Sequence, residues 1–105
     1  MPFPDDNRSL TNYFGASATN DAGVLRITLS ELPDVTSPAS LSAEGVLLAI
    51  IKQAVSGQGD DEDRKIVLVE QPSTIVRRNT LDTLRERFTI DVFHTHDSSI
   101  DPDDL

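Results

Sequence analysis

Apolar and polar residues alternate along several stretches of the chain. Leu25, Ile27 and Leu29 alternate with polar side chains, which is the period-two pattern of a strand with one buried face. A continuous apolar run at 66–69 and a β-branched segment at 74–76 also favour strands. Together these patterns predict about four strands, near residues 24–30, 65–70, 74–78 and 88–96.

A helical period occupies the middle of the chain. Apolar side chains recur there at the three-and-four spacing of one helical face, at Leu47, Leu48, Ile50, Ile51, Ala54 and Val55. We predict a main helix near 41–56 that is capped by Ser40 and buries this stripe in the core. A short second helix near 81–87 is a further prediction, since Thr80 can cap it ahead of Leu81 and Leu84.

These elements indicate an α+β fold in a single domain. A chain of 105 residues is long enough for one core and too short for two independent ones. We expect a mostly antiparallel sheet that is covered on one face by the main helix. The predicted organisation is an N-terminal arm over 1–23, a globular core over 24–96 and an acidic C-terminal tail over 97–105.

Composition excludes several classes of protein. With no cysteine, the chain has neither a disulfide framework nor a thiolate metal site. The acidic, proline-containing N-terminus does not resemble a signal peptide, and the longest apolar run, Val46 to Ile51, is too short to span a membrane. A net charge of -9 disfavours direct binding to nucleic acid or to anionic lipid. We therefore expect a protein of the cytoplasm or of a soluble assembly such as a virion.

Charge is distributed unevenly along the sequence. Residues 1–63 sum to -7, residues 64–87 to +3 and residues 88–105 to -5, for a total of -9. A basic segment inside an acidic chain can attract the acidic parts of a neighbouring copy. The alternative is that its arginines pair internally or only keep the surface soluble. The residues that we expect at an interaction surface are Arg64, Lys65, Arg77, Arg78, Arg85 and Arg87, the arm residues Tyr13 and Phe14, and the tail residues Asp101, Asp103 and Asp104.

Two histidines raise the question of a metal site. His94 and His96 share one side of a strand, and an H-x-H pair can supply two nitrogen ligands to zinc. The sequence holds no other histidine and no cysteine to complete such a site, so we favour two histidines at the rim of a strand and predict no metal and no cofactor. The acidic run at 60–63 and the acidic tail lack the spacing of a calcium loop and are interpreted as solvated charge.

The sequence predicts a non-enzymatic structural or adaptor subunit that acts through contacts with itself or with another protein. No phosphate-binding glycine motif, nucleophile motif or pair of catalytic carboxylates is evident. We expect self-assembly through the terminal arms, as in a component of a virion or of a tail-like particle. One alternative is an acidic inhibitor or nucleic-acid mimic that binds a basic partner. A third hypothesis is a small metal-dependent enzyme built on His94 and His96.

Overall fold

The fold combines one main helix, one short helix and two antiparallel hairpins. The computed structural model describes residues 8–93 and 102–104. In chain order, the elements are α1 (Leu10–Phe14), β1 (Thr19–Asp21), β2 (Val24–Arg26), α2 (Ala43–Gly57), β3 (Ile66–Arg78) and β4 (Leu81–Val92), with short 3-10 turns at Leu29–Glu31, Pro38–Ser40 and Pro102–Asp104. The α+β class is confirmed. The strands form two separate two-stranded sheets, β1–β2 and β3–β4, rather than one sheet of about four strands.

The long hairpin β3–β4 replaces three predicted elements. The segments predicted near 65–70 and 74–78 belong to the single strand β3, and the helix predicted near 81–87 is wrong because those residues lie in β4. Thr80 does not cap a helix, since it forms a two-residue turn with Asn79 in which both residues have positive φ, 49° at Asn79 and 66° at Thr80. Such a turn returns the chain into a second strand, so pairing with β3 prevails over the helical spacing of the leucines.

Two other predicted strands differ from the observed ones in length. The strand expected near 24–30 is limited to β2, which pairs with the unpredicted β1, because a 3-10 turn begins at Leu29. The strand expected near 88–96 is the second half of β4 and not a separate element. Residues 94–96 of that prediction lie outside the described residues.

The main helix is confirmed as α2, although its N-terminal cap is Ser42 and not Ser40. The Ser42 Oγ accepts a hydrogen bond from the Gly45 N–H at 3.0 Å, which satisfies one of the unpaired amides of the first turn. Ser40 lies in the preceding 3-10 turn, which begins at Pro38. With 15 residues α2 is the longest helix described, and no described helix is long and apolar enough to cross a membrane.

The apolar stripe of α2 is only partly in the core. Ala49 and Ala54 are buried, whereas Leu47 is 60% and Leu48 is 40% exposed, so the prediction that these two leucines belong to the core is wrong. α1 approaches α2 closely, because a Cβ atom added at Gly57 would clash with the carbonyl oxygen of Asn12. The glycine therefore lets the two backbones approach.

The described part of the predicted N-terminal arm packs against the rest of the protein. The Asn12 side chain donates to the Gly57 carbonyl at 3.0 Å. Arg8 forms an ion pair with Asp61 at 3.1 Å. These contacts join this part of the chain to α2 and to the loop that follows α2, while residues 1–7 lie outside the described residues.

The core of the described part is small. Its buried apolar side chains are Ala18, Leu32, Ala49, Ala54 and Leu68. Three of these five are alanines, which bury little apolar area each. Many larger apolar side chains are therefore left at the surface, and a large share of them lies on the β3–β4 hairpin.

Candidate functional site

The β3–β4 hairpin is long, and its pairing register defines two faces. Residues directly opposite each other in an antiparallel pair share a face, and so do alternate residues along one strand. The register places most of the apolar side chains on one side of the hairpin and three arginines, Arg78, Arg85 and Arg87, on the other. The first side also carries Glu70, Arg77, Asp82 and Glu86, and the second also carries Val67, Val69, Val76 and Leu81. We call the first side the apolar face (Ile66, Leu68, Ile75, Leu84, Phe88, Ile90 and Val92) and the second side the arginine face (Gln71, Thr74, Arg85, Arg87 and Thr89).

The base of the apolar face is anchored to α2 through Gln58. This glutamine is buried, and its side chain pairs with the Leu68 backbone in both directions. Its Nε2 donates to the Leu68 carbonyl at 2.7 Å, and its Oε1 accepts from the Leu68 N–H at 2.8 Å. Nε2 also donates to the Val55 carbonyl at 3.2 Å. The amide thus takes the place of a neighbouring strand, and Leu68 is only 7% exposed.

The outer half of the apolar face is open. Ile75 and Leu84 are direct cross-strand neighbours and are 75% and 65% exposed. Ile90, which is opposite the buried Leu68, is also exposed. On this face Leu68 is therefore buried beside α2, while Ile75, Leu84 and Ile90 form open apolar surface, and open apolar surface of this kind marks contact sites for other molecules.

An irregularity in the pairing lies midway along the hairpin. Two residues of β3, Pro72 and Ser73, oppose the single residue Glu86 of β4. This is a β-bulge, and proline fits there because the ladder does not require its missing N–H. Bulges bend a strand and redirect neighbouring side chains. Here the bulge adjoins an open concavity on the arginine face.

That concavity, which we call the arginine cleft, has a volume of about 500 Å³ and is lined by Gln71, Pro72, Thr74, Arg85, Arg87 and Thr89. Arg85 and Arg87 are two positions apart in β4, so they project on the same side. Within residues 8–93 and 102–104, neither arginine forms an ion pair or a side-chain hydrogen bond. Guanidinium, amide and hydroxyl donors line the cleft without a carboxylate, a set suited to binding carboxylate or phosphate groups.

The tip of the hairpin carries two more of the predicted basic residues. Arg77 pairs with Asp82 at 3.8 Å and donates to the Thr80 carbonyl at 3.2 Å, so it is used within the turn. Arg78 follows it on the other side of the strand, exposed and opposite Leu81. The tip therefore extends the positive charge of the arginine face without adding to the cleft.

The remaining basic residues lie at the base of the hairpin. Arg64 donates to the Asp61 carbonyl at 2.7 Å and to the Gly59 carbonyl at 2.9 Å, which holds the acidic loop 60–63 in shape. Lys65 follows it and is half-buried. The predicted basic segment is thus divided among the loop, the tip and the cleft, and only Arg85 and Arg87 are brought together as a pair in the cleft.

Other predicted interaction residues are described only in part. Tyr13 and Phe14 are half-buried in α1, which packs against α2, and Asp103 is exposed in the last 3-10 turn. Within the described residues, no group of three or more His, Cys, Asp or Glu side chains is placed to hold a metal ion. The predicted residues that lie outside the described part are His94, His96, Asp101 and the side chain of Asp104.

A second concavity, of about 290 Å³, lies between α2 and the base of the hairpin. The Lys52 ammonium is there, 3.1 Å from the Asp34 carboxylate. The hydrogen bond to Asp34 and its negative charge raise the pKa of Lys52 above its ordinary value of 10.5, with smaller contributions from Glu86 and Glu70 and against a small effect of burial. A lysine held in its charged form acts neither as a base nor as a nucleophile.

Sequence reasoning missed the apolar face, although part of its signal is present. Leu84, Phe88, Ile90 and Val92 occupy even positions, and the period-two pattern extended back to Leu84 favours a strand where we predicted a helix. The arginine cleft has no comparable local signal, because its β3 and β4 residues meet only through the pairing of the two strands.

Comparison with known proteins adds no family to this description. No protein-family model matches the chain, and neither a curated protein nor a solved structure matches it. The two faces of the hairpin are therefore the basis for a functional proposal.

Proposed function

We propose that the chain is a non-enzymatic structural subunit that assembles with copies of itself through the apolar face of the hairpin. The observation that carries the proposal is the exposure of the Ile75–Leu84 pair on the same face that buries Leu68. A two-stranded ribbon is marginally stable alone in water and gains stability when its apolar face is covered. A protein surface that covers the outer half would bury these side chains as Leu68 is buried beside α2.

A second copy of the chain is the occupant that suits this face. Two ribbons that stack face to face about a two-fold axis bury the same patch on both partners, so that one contact covers both open patches. Stacked sheets lie about 10 Å apart, a spacing that interdigitated isoleucine and leucine side chains fill. The contact is also consistent with the small core of the subunit, because assembly adds burial of large apolar side chains that the described part of the chain leaves open. A soluble particle such as a virion or a tail-like assembly is the setting in which such a subunit would act.

Sedimentation velocity of the full chain tests this proposal. We expect a dimer or larger species whose population rises with protein concentration. Replacing Ile75→Thr and Leu84→Thr together keeps residues that suit a strand and removes the apolar contact. Because two apolar side chains per subunit lose their burial, association should weaken by at least about 100-fold.

The matched control is Leu47→Gln, which removes an exposed leucine from α2 and not from the hairpin. This variant should associate as the unmodified chain does, and far-ultraviolet circular dichroism should show that every variant is folded. An unmodified chain that stays monomeric at every concentration would contradict the proposal. Equal weakening in the Leu47 variant would also contradict it.

A further inference from the structure

We infer that the arginine cleft binds the acidic loop 60–63 of a second copy of the chain, an inference that rests on the proposed self-assembly. Acidic residues outnumber basic ones by 18 to 9. With carboxylates in such excess, internal partners for two neighbouring arginines are plentiful. Within the described residues Arg85 and Arg87 nevertheless remain without a carboxylate partner. An arginine pair kept apart from the acidic residues of the described part of the chain is available to a carboxylate from a second copy.

The acidic loop presents three of its four carboxylates outward, because Asp63 is half-buried. Arg64 donates hydrogen bonds to the carbonyls of Asp61 and of Gly59, which precedes the loop, and Arg8 pairs with the Asp61 carboxylate. Asp60 and Glu62, on either side of Asp61, are exposed. Because the loop backbone is already held, little further ordering is needed on binding, which lowers the entropic cost of association.

The loop does not reach the cleft of its own chain. It ends at residue 63, and the cleft begins at Gln71 on β3. At about 3.3 Å per residue along a strand, the two are roughly 20 Å apart, which exceeds the combined reach of an arginine and a carboxylate side chain. The contact therefore joins two copies. Guanidinium groups bind carboxylates through paired, charge-assisted hydrogen bonds, so the cleft and the loop match in chemistry as well as in charge.

This contact differs in symmetry from the one on the apolar face. Stacked apolar faces use the same patch twice and close into a dimer, whereas the cleft and the loop are two different patches. A head-to-tail contact of that kind continues from copy to copy. Together the two contacts build species larger than a dimer. The cleft contact is exposed and polar, so raising the salt concentration to about 0.5 M should dissociate the larger species into dimers, which persist because their contact is apolar.

Charge reversal tests the inference. Arg85→Glu with Arg87→Glu reverses the cleft, and Asp60→Lys with Glu62→Lys reverses the loop. We expect each two-site variant to remain a dimer in low salt and to lose the larger species, with the cleft contact weakened roughly 100-fold by like-charge repulsion. All four substitutions in one chain should restore the larger species. Mixing the two variants should also restore the larger species, because unlike chains then pair the native loop with the native cleft and the reversed loop with the reversed cleft.

The matched control replaces two exposed arginines outside the cleft, Arg26→Glu and Arg78→Glu. It changes the net charge by the same amount as the cleft variant. It should keep the larger species. An unmodified chain that forms only a dimer, or a four-site variant that does not recover, would overturn the cleft contact and leave the apolar-face dimer standing. An unmodified chain that is always a monomer would contradict both.

Discussion

The inner and outer halves of the β3–β4 hairpin each carry a leucine on the apolar face, yet only the leucine of the inner half is buried. Leu68 in the inner half is 7% exposed, whereas Leu84 in the outer half is 65% exposed. The inner half lies against α2 and is joined to Gln58 through the backbone of β3. The difference shows that what packs against a strand decides whether its apolar residues are core, and that alternation along the strand does not.

Two leucine-to-alanine substitutions should separate the two halves most strongly. Leu68→Ala removes a buried side chain and leaves a cavity, so we expect the free energy of unfolding to fall by about 2–5 kcal/mol. Leu84→Ala changes an exposed position, so the monomer should lose no more than about 0.5 kcal/mol. Urea unfolding at a concentration where the chain is monomeric measures both values.

The order of the two effects should be reversed when self-association is measured instead of unfolding. Leu84→Ala should weaken assembly, since it removes part of the proposed contact, whereas Leu68→Ala should act mainly on folding. Equal losses of unfolding free energy in the two monomers would show that the outer half is already covered within one chain, and the contrast between the halves would then be wrong.

The Gln58 side-chain amide provides a second test of the difference between the inner and outer halves of the hairpin. Gln58→Ala leaves the buried N–H and carbonyl of Leu68 without these partners, so we expect a loss of about 1–3 kcal/mol in the free energy of unfolding. Hydrogen exchange of the Leu68 amide should accelerate at the same time, because the helix no longer protects the inner half.

Gln71→Ala provides the comparison, since Gln71 is a half-buried glutamine on the arginine face of the same strand. It should leave both the unfolding free energy and the exchange of the Leu68 amide nearly unchanged. If the two substitutions had the same effect, the inner half would be held by strand pairing alone and not by the Gln58 amide.

Local patterns predicted the elements of the inner half and the helix that supports it. The apolar run at 66–69 is a strand, and the period of 3.6 residues marks α2. These signals depend on neighbouring residues, so they can be found in one sequence. They also predict the α+β class, since the main helix and the strands are present in the sequence pattern.

Residues 74–78 of the outer half form a strand as predicted, whereas the turn and the β4 side of this half depend on information that local patterns lack. Its turn is Asn79–Thr80 and lacks the glycine that makes hairpin turns easy to find, so the spacing of Leu81 and Leu84 predicts a helix there. The arginine cleft needs Gln71 and Arg87 to be opposite each other, which is a consequence of strand register. All six basic residues of the segment 64–87 are expected from the sequence at an interaction surface. The sequence pattern does not predict that the hairpin brings Arg85 and Arg87 together in the cleft.

The smallest expected effect is a pH dependence of local stability, which should differ between the segment around Ser17 and the outer half of the hairpin. The Glu31 carboxylate accepts hydrogen bonds from the Ser17 hydroxyl at 2.6 Å and from the Ser17 N–H at 2.8 Å. These bonds lower the pKa of Glu31 below its ordinary value of 4.5, the hydroxyl contributing most and burial opposing slightly. Because the folded pKa is the lower one, this stabilisation is present in full above the unfolded value and is lost as the pH falls through the folded value.

We therefore expect acid, in the range at and below pH 4.5, to loosen the segment around Ser17 first and to leave the pairing of the outer hairpin unchanged there. Hydrogen exchange followed by nuclear magnetic resonance measures both regions in one sample. Glu31→Gln should remove this part of the pH dependence, and Ser17→Ala should reduce it, since the hydroxyl bond has the largest effect on the pKa. A wild-type chain whose outer hairpin exchanged faster over the same range, in step with Ser17, would show that the two regions unfold together and are not independent.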